Sequence, residues 1–157
     1  MDADLTLRLA RAIHDRYVAG QVADGRPFGV APLVAWEDLS EDLRAANVAQ
    51  ARDIPEKLDR IGCTIGPAAG NGAHAFTDAE IERLARYEHD RWSQQRRQAG
   101  WTYGPVRDDA ARQHDCLVSW DRLSEAEREK DRDVVRRIAG LLAEAGLQVI
   151  PDHPTTA

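Results

Sequence analysis

The sequence predicts a mainly α protein, a pseudo-twofold pair of repeats with small β elements. Each repeat is expected to run helix, loop, short strand, helix. Three observations carry this expectation. First, residues 34–62 align without a gap on residues 118–146 at an offset of 84, setting Trp36 on Trp120, Leu39 on Leu123, Ser40 on Ser124, Ile54 on Ile138, Leu58 on Leu142 and Gly62 on Gly146. Second, "IHDRY" (13–17) matches "EHDRW" (88–92) at an offset of 75. Third, Thr77 with Glu80 and Ser124 with Glu127 have capping-box spacing, in which side chains and backbone N–H groups pair reciprocally at a helix start. Such internal similarity marks one supersecondary unit used twice. The expected organisation is a single domain over 1–157, with a diverged repeat at 1–65 and a better-matched one at 77–150.

The first helix is expected over roughly 3–18, where Leu5, Leu9, Ile13 and Tyr17 share a stripe at i+4 spacing. Its counterpart starts after Thr77 and turns Ile81, Leu84, Ala85 and Trp92 one way. The helix after Ser124 carries a broad apolar face of Val134, Val135, Ile138, Leu141 and Leu142, and Gly146 ends it as Gly62 ends its partner. Pro55 lacks an N–H and crowds the preceding turn, so a break is expected near Asp53 in the first copy alone. "LVAW", "LVSW" and "LQVI" are read as short strands, and "GPAAGNGAHAF" (66–76) as the linker between copies. The two offsets differ by nine residues, and "GWTYGPVRDD" (100–109) is placed inside that difference.

Composition narrows the function. With 157 residues, 43% hydrophobic and 31% charged, the chain suits an ordinary soluble domain. No apolar run approaches the ~18–20 residues needed to cross a membrane and no secretory leader opens the sequence, so the expected compartment is the cytoplasm. Cys63 and Cys116 lack paired spacing and read as reduced thiols. A net charge of −6 disfavours DNA or RNA as a partner. Residues 91–112 run against that sign, with five arginines and two acids, and they also hold Trp92, Trp101 and Tyr103. That window suits a small anionic aromatic ligand.

His14 and His89 occupy matched positions beside apolar stripes. As catalytic bases or metal ligands they lack the further His and Asp groups such chemistry needs. The favoured reading is a buried imidazole satisfied by a polar group on the packed helix: Asp131 for His89, and Asn47 as a weaker echo for His14. "QHDC" (113–116) cannot enclose a tetrahedral ion unaided. The charged stretch 124–137 reads as a solvated helix face. The aromatic loop leaves two alternatives open. Its rings fold back as a lid over the core, or they form a stacking platform with Arg107 placed to meet phosphate.

Residues 84–149 resemble the Ryr repeat, the module named after ryanodine receptors. The pattern His-x-x-Trp, Gly-Trp-x-Tyr-Gly and a Leu-Ser-Glu helix entry with a central Asp is met by His89, Trp92, Gly100, Trp101, Tyr103, Gly104, Leu123, Ser124, Glu125 and Asp131. The first copy keeps His14, Trp36, Leu39, Ser40 and Gly62 and has no Gly-Trp-x-Tyr-Gly. The resemblance implies a helical, cytoplasmic regulatory module without catalysis or cofactor, since paired repeats of this kind can hold an adenine nucleotide between aromatic rings. Bacterial relatives resemble accessory sensors joined to signalling modules, which implies an effector protein or fused domain as a further partner. The expected function is binding of a nucleotide or nucleotide-derived signal such as ATP, ADP-ribose or a cyclic nucleotide. Trp101 and Tyr103 stack the base, Arg107 and Arg91 meet phosphate, Trp92 adjoins, and Phe28 with Arg26 substitutes from the first copy. The alternative is a protein-interaction or scaffold module of a larger sensor. With no nucleophile–base pair or metal cluster, an enzyme is the third possibility.

Overall fold

The computed structural model describes residues 1–70 and 72–153, and they are mainly α-helical with small β elements. They divide into two compact units, one of the described residues up to 75 together with those from 139 onward, the other of residues 76–138. The closing helix residues and strand of the second repeat thus belong to the first unit.

The repeats correspond element by element. Helix α1 (Ala3–Ala23) and α4 (Asp78–Gln98) have 21 residues each and keep the 75-residue offset at both ends. Helices α2 (Glu41–Arg52) and α5 (Glu125–Arg136) have 12 each and keep the 84-residue offset. Both helix starts read from the sequence are present. Thr77 and Glu80 form a complete capping box. Ser124 accepts from the Glu127 N–H, but Glu127 does not complete a box, because its carboxylate pairs with Lys130. Gly62 and Gly146 have φ of +69° and +74°, the left-handed conformation that ends a helix cheaply only with glycine.

Three expectations are corrected. "LVAW" and "LVSW" are not strands: they lead into single 3₁₀ turns, Trp36–Asp38 and Trp120–Arg122. The strand partner of "LQVI" is instead β1 (Cys63–Pro67), which pairs antiparallel with β4 (Leu147–Pro151), so the linker begins after Pro67. The helix break occurs in both copies. Asp53 separates α2 from α3 (Ile54–Asp59), and Arg137, at the same repeat position, separates α5 from α6 (Ile138–Glu144) with no proline nearby. The break belongs to the repeat, and Pro55 occupies a first-turn position that it tolerates.

The β1–β4 ladder is self-complementary. Cys63 faces Pro151 and Pro67 faces Leu147, so exchanging the copies maps the ladder onto itself about the Ile65–Val149 pair. At Gly66 the Ile150 side chain lies over the backbone, so a Cβ there would push its Cδ1 aside.

In the first unit α1 packs on α2 over Leu9, Ala10, Trp36, Leu39, Ala51, Ile54 and Leu58. The buried stripe of α1 is Thr6, Leu9, Ala10 and His14; of the expected Leu5, Leu9, Ile13 and Tyr17 it keeps Leu9, and Tyr17 is exposed. In the second unit α4 packs on α5 around Leu84, Ala85, Leu117, Trp120, Leu123 and Val135. The charged face of α5 also ties the two helices: Arg132 bonds Glu82 at 2.8 Å, as well as Glu125 and Glu129. The Arg132 bond holds the Glu82 carboxyl below its ordinary range.

Candidate ligand site

The site is built from the end of α4. Gly100, at φ +88°, follows the last helical turn, its N–H donates to the Arg97 oxygen and the Trp101 N–H donates to the Arg96 oxygen, both at 3.0 Å. This is the Schellman pattern, which brings the residue after the glycine back over the helix three positions before its cap. The residues so joined are Trp101 and Arg96. The Arg96 guanidinium carbon lies 4.9 Å from the Trp101 ring centroid and 5.7 Å from that of Trp92, one helical turn earlier.

Beyond Trp101, strand β2 (Thr102–Tyr103) pairs in parallel with β3 (Gln113–His114). Gly104 is needed for close approach, because a Cβ there would come within 2.8 Å of the Gln113 side chain. The pairing sets His114 against the aromatic row, with its ring 4.9 Å from Trp92 edge-on and 6.2 Å from Trp101. Trp92 in turn stacks on His89 at 5.9 Å, and His89 lies 6.2 Å from Trp120. One aromatic chain therefore runs from the core residue Trp120 to the loop residue Trp101. Tyr103 stands outside it, 56% exposed.

The charge in the loop is unbalanced. Arg107 makes a two-point contact with Asp109, with Nε–Oδ1 at 2.8 Å and Nη2–Oδ2 at 3.5 Å. Asp108 serves the backbone instead, accepting from the Ala111 N–H. Arg112, at φ +53°, donates to the Ala99 oxygen at the end of α4. The Arg96 guanidinium, half-buried, has no hydrogen-bond or carboxylate partner among the described residues, only its two indoles. Burial and the Arg107 charge lower its pKa, with Asp109 opposing. Burial, then Arg107, likewise push the His114 imidazole below its ordinary value.

The predicted site residues are thus sorted by the structure. Trp101, Tyr103 and Arg107 lie together on the loop, and Trp92 is its inner wall. Arg91 is not brought in: its guanidinium donates twice to buried Glu88 and also to Gln95. Arg26 and Phe28 lie in the first unit, both exposed, after the end of α1. Their meaning is positional. "GRPFG" (25–29) falls on "GWTYG" (100–104) at the 75-residue offset, and α1 ends in the same Schellman pattern, Gly25 N–H to Val22 and Arg26 N–H to Gln21, both at 3.0 Å. The first copy therefore keeps the turn, with Arg26 for Trp101, Phe28 for Tyr103 and Gln21 for Arg96. The nine extra residues follow Gly104, so only the Arg107 end of the loop lies inside the difference. Arg96 and His114 were missed as site residues. The signal for Arg96 was available, since it follows Trp92 by four and precedes the glycine stop by four.

His89 bonds the Val118 oxygen through Nε2 at 2.6 Å, and its Nδ1 lies 3.6 Å from Asp131 Oδ2, an ion-pair distance longer than a hydrogen bond. His14 repeats the first contact, to Val34 at 2.6 Å, but Asn47 is turned away and donates to Leu43 of its own helix. The repeated partner is a backbone carbonyl. His114, Asp115 and Cys116 bring possible ligand atoms within 4.8 Å of one another. The donor set fits a metal poorly: the Cys116 N–H donates to His114 Nδ1, and burial beside Glu127 pushes the thiol up to about 12.

Fold and site together define a class, a two-helix repeat whose connecting loop presents an arginine–indole cluster. Residues 75–151 match the family model of the RyR domain, and the chain carries a member of that family over this stretch.

Proposed function

We propose that this protein is a non-enzymatic, cytoplasmic regulatory module that binds a nucleotide or nucleotide-derived signal, of the class of ATP, ADP-ribose or cyclic nucleotides. Trp101 and Tyr103 take the base, and Arg107 takes phosphate. Arg96 joins Arg107 in that role, and Arg91 does not. The observation that carries the reading is Arg96, a half-buried guanidinium with no carboxylate partner among the described residues, set between two indoles. Desolvating a cation without an anion is unfavourable, and a bound anion would remove that cost. Stacking on one ring contributes about 1–3 kcal/mol, so phosphate contacts are needed for useful affinity. Effector proteins or fused signalling domains, not nucleic acid, are the proposed onward partners.

Calorimetric titration with ATP, NAD, ADP-ribose and cyclic nucleotides tests this. Trp101→Ala is expected to abolish binding while the protein stays folded. A large stability loss for Trp101→Ala, with no ligand binding the wild type, would make the loop a lid. A second reading, a protein-interaction module, is favoured by Phe28 and Val30, exposed at 59% and 68% in the first unit. Substituting both with Ser should then remove partner capture and leave nucleotide titrations unchanged.

A further inference from the structure

Two guanidinium groups, Arg96 near the end of α4 and Arg107 on the loop, are both acted on by one carboxylate. Asp109 is bonded to Arg107 at two points, and its charge also acts on Arg96. Both partners of the Arg107–Asp109 pair are mostly exposed, at 55% and 68% of their side-chain surface. An exposed pair of this kind is weak and readily exchanged. Arg96 gains none of its hydrogen bonds from it. A phosphoryl group has three acceptor oxygens and more charge than a carboxylate, so it can serve a two-point contact on one arginine and still reach a second.

We propose that Asp109 is a built-in stand-in for ligand phosphate. It holds Arg107 in its binding geometry when the site is empty, and a phosphoryl group displaces it and is shared by Arg107 and Arg96. The inference rests on the ligand reading above and adds a regulation to it, namely that the chain's own carboxylate competes for the seat. The exchange is steric and electrostatic, with no bond made or broken. The loop can survive the exchange, because its shape is held elsewhere: by the Asp108 Oδ1 bond to the Ala111 N–H, by the Asp108–Gln113 backbone bridge and by the Arg112 bond to Ala99.

The test titrates inorganic pyrophosphate and, separately, adenosine and ADP into the full chain at low ionic strength. Wild type, Asp109→Asn and Arg96→Gln are compared. Removing the competing carboxylate from an exposed pair is expected to tighten pyrophosphate about three- to fivefold. Arg96→Gln is expected to weaken it about tenfold, the scale of one hydrogen bond to a charged group. Adenosine should respond to neither change by way of charge. Pyrophosphate affinity that is unchanged or weaker in Asp109→Asn, or no pyrophosphate binding by wild type and variant alike, overturns the proposal. ADP binding that quenches tryptophan emission but does not tighten in Asp109→Asn sinks the stand-in and leaves the nucleotide reading. Pyrophosphate that tightens as expected, with ADP no better a ligand, keeps the stand-in and sinks base stacking. A thermal melt of each variant guards against misfolding, and Arg107→Gln added to Asp109→Asn should erase the gain.

Discussion

The Nε2 of His89 lies 2.6 Å from the carbonyl oxygen of Val118, and that bond fastens the loop's return to the helix where the loop began. A carbonyl only accepts, so Nε2 carries the hydrogen. The imidazole is buried between Trp92 and Trp120. His89→Ala strands the carbonyl and empties the space between two indoles, at a cost of about 2–4 kcal/mol. Asp131→Ala removes a partner at 3.6 Å, beyond hydrogen-bond reach of the imidazole, so a smaller loss of about 1 kcal/mol is expected. Urea denaturation midpoints of the two variants check the order. An Asp131→Ala loss as large as that of His89→Ala would make the carboxylate the main anchor.

Gly104→Ala should damage the loop more than its small size suggests. The new Cβ meets the Cβ and Oε1 of Gln113 at 2.8 and 2.7 Å, and Gln113 is held in the β2–β3 ladder. Overpacking of this kind costs roughly 1–3 kcal/mol. The expected signs are altered near-ultraviolet circular dichroism from Trp101 and weaker ligand binding. Gln113→Gly in the same chain should restore both, and a double mutant no better than Gly104→Ala would show that the clash is not the cause.

Burial and the Arg107 charge depress the His114 pKa below its ordinary 6.5. The unfolded chain therefore takes up this proton first as pH falls. Its contribution to stability is complete above pH 6.5 and is lost as pH drops from there through the folded-state value. Melting temperature should decline between pH 7 and pH 5 in the wild type and decline less in His114→Asn. The carboxylates held low by arginines, such as Glu82 and Glu129, are lost only at pH values below about 4.5, outside this window. Identical slopes for both proteins would remove His114 as the cause.

Lys57 is buried to 1% exposure and bonds Asp53 at 2.5 Å, whereas the matched residue of the second repeat is Leu141, also buried. The repeat evidently tolerates leucine there. Lys57→Leu is expected to be neutral or slightly stabilising, while Asp53→Ala, which removes one charged partner of the buried ammonium, should cost about 1–3 kcal/mol. Thermal melts of the two variants decide it. A Lys57→Leu protein less stable than Asp53→Ala would mean the lysine has a role beyond its ion pair.

Local chemistry made much of this protein legible from its residues. Caps and stops are governed by a few neighbours, so Thr77, Ser124, Gly62 and Gly146 were readable, and so was the duplication. The Arg96–Trp101 pair is equally local, since a Schellman turn through Gly100 produces it. The β1–β4 ladder could not be read in this way. "CTIGP" holds a glycine and a proline, both poor strand signals, and its hydrogen bonds go to a segment about 80 residues away. "LVAW" and "LVSW" looked like strands because short apolar runs are ambiguous, but their leucines and tryptophans are buried around 3₁₀ turns. The partners of the histidines were likewise decided by packing. A buried imidazole requires some acceptor, and only the path of the chain determined that this acceptor is the carbonyl of Val34 or Val118. Residue order alone specifies the repeat, its helices and the residues of the loop. Tertiary structure decided which arginine meets the ring and which carboxylate meets the other arginine, because those choices depend on distances between segments that no local window contains.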